Sequence, residues 1–224
     1  MVFLFLITFA TGERLEYDAK FSFFNLGSMV LHVEDTLTQD SMPCYHFSST
    51  LISNPSFKFI FSLHDTINVY STIDDLLPIE YTEHLHESSY QSNSTIRFDH
   101  DSLVAEYNDT LSIDIPENTR DLVSFWYYLR TIPLVMGDTI TLNIHASEDN
   151  HTIDCLVDRE EMIKTPLGEF QTILISPITK GKGVFGAHGE MSIWYTSDSL
   201  RLPVQIKAKM KFGNVLFKIK EIRY

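Results

Sequence analysis

Histidines, carboxylates, two cysteines and one glycine-rich loop are what this chain of 224 residues has for chemistry. The sharpest spacing is in Thr82 to Glu87, TEHLHE. If this stretch is a strand, His84 and His86 share one face and both imidazoles can reach one metal ion. A site still needs a third ligand, and His46, His64, Asp99 or His100 supplies one only if the fold brings it near. A solvated, alternating strand face explains the pair equally well, and no metal is assigned. Lys180 to Gly186, KGKGVFG, spells GxGxxG at Gly181, Gly183 and Gly186. A dinucleotide site uses those glycines where a parallel strand turns into a helix. Here Pro177 precedes the loop and a strand pattern, Glu190 to Thr196, follows it, so the loop joins strands and no cofactor is expected.

Hydrolysis requires an activated nucleophile. There is no GxSxG elbow and no cysteine with a motif-placed histidine. Asp154, Asp158, Glu160 and Glu161 cluster and could hide a general acid–base pair. With 30 acids in the chain some cluster arises by chance. No catalytic residue is assigned, and a binding protein is expected rather than an enzyme.

Two groups of residues suit binding. Phe125, Trp126, Tyr127 and Tyr128 cover more than one face of a helical stretch, and Arg130 follows them. Such a stripe most often packs in a core. Over a cavity it could instead act as a lid on an amphiphile, with the guanidinium meeting an anionic head. Phe125, Trp126, Tyr127, Arg130 and, from a later strand, Trp194 are therefore the candidate ligand-binding residues. The second group is basic. Taking Gly213 and Asn214 as a two-residue turn pairs Lys209 with Lys218 and Lys207 with Lys220 on one face. Opposed ammonium groups repel by about 0.5 to 1 kcal/mol per pair. An acidic neighbouring strand, edge protection, or docking on anionic lipid or acidic envelope polymer would each account for them.

The elements that must hold these groups are mostly strands. Leu15, Tyr17, Ala19, Phe21 and Phe23 alternate with polar residues, Asn25 to Gly27 reads as a turn, and Met29, Leu31 and Val33 continue the pattern. Similar runs recur to the end of the chain. The period changes once, in Thr119 to Asp138, TRDLVSFWYYLRTIPLVMGD, where Leu122, Val123, Phe125, Trp126 and Leu129 recur at three and four. Asn118 or Thr119 is expected to cap this helix and Pro133 to end it.

Hydrophobic residues at 44% and charged residues at 21% predict a folded chain. A net charge of -13 disfavours nucleic acid. The charge is uneven, with nine Lys or Arg against three acids from Lys180 to Tyr224. Residues 2 to 10, VFLFLITFA, are too short to span a bilayer and predict a signal peptide over 1–11, with one domain over 12–224. The basic start of an export signal is missing apart from the amino terminus, and a buried first strand is the competing reading. Cys44 and Cys155 are either bridged or two buried free thiols.

Four stretches in order, GERLEYDAKFSFFNLGSMVLHVED, RDLVSFWYYLRTIPLVMGD, KTPLGEFQTILISP and IWYTSDSLRLPVQIKAKMKFGNVLFKI, resemble the bacterial exported family catalogued as domain of unknown function 3108. The resemblance covers nearly all of the chain after Thr11 and is weakest from Met42 to Pro116. It implies a β-rich domain outside the cytoplasm, in the bacterial periplasm, and brings no catalytic residues. The expected fold is mainly β: a single antiparallel, strongly curved sheet, a half-barrel or barrel similar to lipoprotein-carrier or lipocalin folds, with one inserted helix. The expected role is a non-catalytic envelope protein binding a lipid-like ligand. The alternatives are a module docking on envelope polymer or a partner protein, and a carbohydrate-active enzyme.

Overall fold

The computed structural model describes residues 9–39, 42–57, 62–179, 191–210 and 213–224. The period-two runs form one antiparallel sheet of 14 strands. Eight make a first meander: β1 (Arg14–Phe21), β2 (Phe24–Gln39), β3 (Met42–Ser53), β4 (His64–Thr72), β5 (Pro78–Glu87), β6 (Tyr90–Asp99), β7 (Val104–Tyr107) and β8 (Leu111–Asp114). The helix α1 (Ser124–Thr131) follows. A second meander contains β9 (Thr139–Ala146), β10 (Asp149–Thr165), β11 (Gly168–Thr179), β12 (Met191–Thr196), β13 (Pro203–Met210) and β14 (Gly213–Arg223). β14 pairs with β1, so the first and last strands meet mid-sheet and α1 connects the outer strands β8 and β9.

Alternation sets which face is buried. Leu15, Tyr17 and Ala19 are buried while Arg14, Glu16 and Asp18 between them keep partial exposure. The buried side chains form two clusters, and α1 contributes to both. Phe125 and Leu129 join Leu15, Tyr17, Ile144, Ile193 and Ile219, while Val123 and Tyr127 join Val33, Phe47, Val69 and Ile96. Fully burying such a side chain contributes about 1.5 to 3 kcal/mol, so the helix ties the two meanders together through hydrophobic contact.

The expected strongly curved half-barrel or barrel is corrected: the sheet is neither closed nor strongly curled. The free edge of β9 is occupied before β8 can reach it. Arg120 N–H donates to the Asn143 carbonyl at 2.9 Å and His145 N–H to the Arg120 carbonyl at 2.8 Å, a short parallel bridge beside Ile144. With α1 filling the space between the clusters, closure of the backbone ladder is not needed to bury them.

Three local expectations also change. The first hairpin turns at Ser22 and Phe23, with Phe21 paired to Phe24, so Asn25 and Gly27 lie inside β2. Ser22 takes the left-handed φ of 55° that the tight turn needs. The helix is capped by Asp121, whose carboxylate accepts from Val123 N–H at 2.6 Å and Ser124 N–H at 3.0 Å and from the Ser124 hydroxyl. Thr119 instead donates its hydroxyl to the Pro116 carbonyl at 2.6 Å. Pro133 stands two residues beyond the last helical residue, as expected.

In the last hairpin Met210 pairs with Gly213 and Lys209 with Asn214, so Gly213 and Asn214 belong to β14. Lys207 faces Leu216 and Lys218 faces Gln205, and neither expected lysine pair forms. The connecting residues 211–212 lie outside the described residues, as does the glycine-rich loop 180–190. Cys44 and Cys155 are buried thiols and are not disulfide-bonded, and burial pushes the Cys155 thiol up to about 12.

Candidate functional site

The helix aromatics pack inward. Phe125 and Tyr127 are buried, and Tyr127 stacks on Phe47 with ring centroids 4.1 Å apart and planes 12° from parallel. Trp126 packs partly buried against the first cluster, and its carbonyl accepts from the Tyr195 hydroxyl at 3.1 Å. Trp194 falls outside both clusters and donates its indole N–H to Glu161 Oε1 at 2.7 Å. It does not join the other aromatics.

Arg130 has a partner that no spacing suggested. Its Nη1 and Nη2 donate to the two carboxylate oxygens of Glu13 at 2.5 and 2.9 Å, and Nε and Nη2 reach the Leu200 carbonyl at 3.2 and 3.1 Å. The two side chains are 1% and 0% exposed. Burial pulls the guanidinium towards losing its proton, and the hydrogen bonds and charge of Glu13 more than reverse that, so its pKa is raised. The cation is neutralised from within the chain, 117 residues away in sequence. A single acid ahead of the first strand carried no signal of this.

Two of the four lysines are likewise engaged within the chain. Lys220 lies 3.3 Å from Asp18, and Lys218 donates to the Lys164 carbonyl at 2.9 Å. Both imidazoles of the candidate pair His84 and His86 are exposed, and the fold brings His64 alongside them: the three line one shallow depression. His84 Nδ1 is engaged with the Asn93 side-chain oxygen at 2.8 Å. Among the described residues no three such groups stand in a ligating arrangement.

Among the described residues a larger cavity than this depression lies elsewhere, where β5, β6 and β7 approach the turn between β9 and β10. It holds about 410 Å³ and is lined by Tyr81, Glu83, Tyr90, Asn93, Tyr107, His145 and Glu148 among others, with Leu122 from the approach to the helix. A hydrogen-bonded chain crosses it. The Tyr107 hydroxyl accepts from Glu148 N–H at 3.0 Å and stands 2.8 Å from His145 Nε2. His145 Nδ1 is 2.7 Å from the Asn150 side-chain oxygen, and Asn150 Nδ2 donates to the Asp114 carbonyl at 2.7 Å. The amide oxygen can only accept, so Nδ1 carries the proton and Nε2 accepts from Tyr107. Burial raises the Tyr107 phenol to about 12 and lowers the His145 imidazole, an effect the hydrogen bond to Asn150 partly offsets. Both groups are therefore neutral near pH 7, and the chain fixes donors and acceptors across the gap between β7 and β9. Close to the cleft, Tyr81 donates its hydroxyl to Glu83 at 3.0 Å. Sequence could not pick out Tyr107 and His145, which are 38 residues apart and each sit in an ordinary strand pattern.

This burial has a consequence for stability. His145 and His100 both have imidazoles lowered first by burial. Below the ordinary histidine value of about 6.5 the unfolded chain binds protons that these native rings refuse. Their contribution is complete above that pH and is lost progressively as pH falls through it towards the native values. Urea midpoints measured from pH 7.5 to 5.5 should fall with acid, and His145→Asn should flatten the fall. An unchanged slope would show that His145 is not held neutral.

Among the described residues no helix is long and apolar enough to cross a membrane. No curated protein matches the chain. A crystal structure described as a β-barrel-like protein of domain of unknown function DUF1849 from Brucella abortus is similar in fold, with a TM-score of 0.63 at 8% identity, covering 95% of this chain and 97% of that one. A hypothetical protein from Chlamydia trachomatis aligns at a TM-score of 0.42 and 6% identity over 96% of this chain and 88% of that one. The model of one family, described as protein of unknown function (DUF3108), matches residues 16–220, from β1 into β14 and through α1 and the cleft, and the chain belongs to that family.

Proposed function

We propose that the protein is a non-catalytic binding protein of the bacterial envelope, outside the cytoplasm, whose cleft between β5–β7 and the β9–β10 turn takes a neutral, hydroxyl-rich group such as a sugar of an envelope polymer. The observation that carries this reading is the polar lining of the 410 Å³ cleft, with Glu83, Asn93, Tyr107 and Glu148 around exposed Tyr90. Carboxylates and amides that share a cleft with a tyrosine ring suit hydroxyl groups and the apolar face of a pyranose. Glu83 and Glu148 disfavour an anionic group there. An amphiphile would need an apolar cavity beneath α1, where Phe125, Tyr127 and Leu129 instead fill the space with core contacts. Arg130, the candidate for an anionic head, already faces Glu13. The compartment rests on the apolar run of residues 2 to 10 and on what the family resemblance implies.

Calorimetric titration with neutral oligosaccharides, chitotetraose and cellotetraose, and with soluble peptidoglycan fragments tests the reading. Binding to at least one is expected, weakened about tenfold by Tyr90→Ala and by Glu83→Gln. If the unaltered protein binds none of them at millimolar concentration, or both variants bind as well as it does, the cleft is not a saccharide site.

A further inference from the structure

The end of the sheet that carries the β1–β2 turn has a surface that the cleft does not use. Phe23 is 83% exposed and Phe24 46%, with their rings 4.2 Å apart, and Phe24 meets Phe57 edge-on at 6.1 Å. Ile52, two residues before the break at Asn54, is 41% exposed in the same neighbourhood of β2 and β3, where Gly27 pairs with Ser53. A contiguous apolar patch on a tip, rather than an isolated exposed residue, marks an interaction surface. Phe21 anchors the patch to β14: a Cβ built on Gly213 would stand 2.7 Å from its ring.

Charge says what the tip meets. Residues 20–33, 41–64 and 199–220 together hold 60 residues with eight Lys or Arg and no Asp or Glu. The rest of the chain then carries nine bases against all 30 acids. The strands within these stretches are neighbours, β3 beside β2 and β13 beside β14, and the two pairs are joined through β1 with its Glu16 and Asp18. An acidic protein thus keeps this sector net basic, with Glu16 and Asp18 of β1 inside it, and puts its exposed phenylalanines at the sector's tip. Lys20 stands next to Phe21 with its ammonium 3.8 Å from Asp18, which it shares with Lys220, and Lys209 pairs with Asn214 at the same end. Exposed aromatic rings beside lysines suit insertion into the interface of a bilayer.

We propose that this end of the sheet, Phe23, Phe24 and Phe57 with Lys20 and Lys209, docks the protein on an anionic lipid bilayer, with the rings entering the headgroup layer and the lysines meeting lipid phosphate. The acidic remainder of the chain is repelled by the same surface, so docking fixes one orientation. This is independent of the saccharide cleft, and either can fail without the other.

The test is co-sedimentation of the full chain with vesicles of phosphatidylcholine alone and with roughly one-third phosphatidylglycerol. Binding to the anionic vesicles is expected, with loss of binding at about 0.5 M salt as screening shortens the reach of the lysines. Phe23→Ser should weaken it about tenfold or more while leaving the melting temperature unchanged, since the ring is in solvent. Lys20→Gln with Lys209→Gln should reduce the preference for anionic over neutral vesicles. As a positive control, Phe23→Trp should be quenched by brominated lipid more than the unaltered protein, whose tryptophans lie away from the tip. Equal sedimentation of the Phe23→Ser variant, or no binding to anionic vesicles, overturns the proposal. So does a concentration-dependent dimer that Phe23→Ser dissolves, because the patch would then serve self-association.

Discussion

Glu13→Ala should cost about 3 to 5 kcal/mol of unfolding free energy, the usual consequence of leaving one member of a buried ion pair without its partner. The guanidinium of Arg130 is 1% exposed and faces the two Glu13 oxygens and the Leu200 carbonyl. Without the carboxylate the buried guanidinium keeps the Leu200 carbonyl but loses its counter-charge. The double change Glu13→Leu with Arg130→Met should recover much of the loss, because two apolar residues of similar volume remove both desolvation penalties. Recovery stays incomplete, since the Leu200 carbonyl loses its donors. Urea unfolding of the two single variants and the double variant measures the coupling directly. A loss below about 1 kcal/mol for Glu13→Ala would show that the pair behaves as an exposed one.

The second large effect concerns Tyr127 and decides what the helix does. Tyr127→Ala should cost about 3 to 5 kcal/mol, the transfer and cavity cost of deleting a core aromatic. The ring stacks on Phe47, touches Phe9 edge-on at 5.3 Å and links α1 to the second cluster. Tyr127→Phe isolates a different quantity. The Tyr127 hydroxyl is buried with no hydrogen-bond partner among the described residues, and burial holds it well above the ordinary phenol range. Removing an unsatisfied hydroxyl should leave stability unchanged or raise it by up to about 1 kcal/mol. If Tyr127→Phe instead destabilises, or abolishes binding of a ligand, the hydroxyl has a partner and the helix closes a site. Thermal and urea unfolding of both variants, read beside the saccharide titration, separate these outcomes.

Where sequence reasoning failed, the failures have a common form. The last hairpin was placed two residues late, and an even displacement keeps every side chain on its own face. Period-two alternation therefore could not detect it, and only the observed pairing of Met210 with Gly213 shows it. The first hairpin slipped for a related reason. Asn25 and Gly27 look like a turn by composition, yet a Cβ on Gly27 would sit 2.1 Å from the Ile52 carbonyl oxygen, so this glycine serves close strand packing. The helix cap was missed because Asp121 lies inside the expected helix, two residues past the polar residue taken as its start. Its carboxylate is identified as the cap only by its contacts with Val123 and Ser124.

Much was nonetheless readable from residue order alone. Alternation every second residue is set by strand geometry, so the all-antiparallel class and most of the inward face were legible, and the one change of period located α1. The four ordered stretches pointed to the family whose model spans residues 16–220. Tertiary structure alone decided what depends on residues far apart: that Arg130 meets Glu13, and that Tyr107 meets His145 across the gap. It also decided that the sheet stays open, because the chain around Arg120 takes the edge of β9. The physical reason is that periodicity records which face of its own element a residue occupies. A partner 38 or 117 residues away is chosen by how the elements assemble, and local pattern holds no term for that choice.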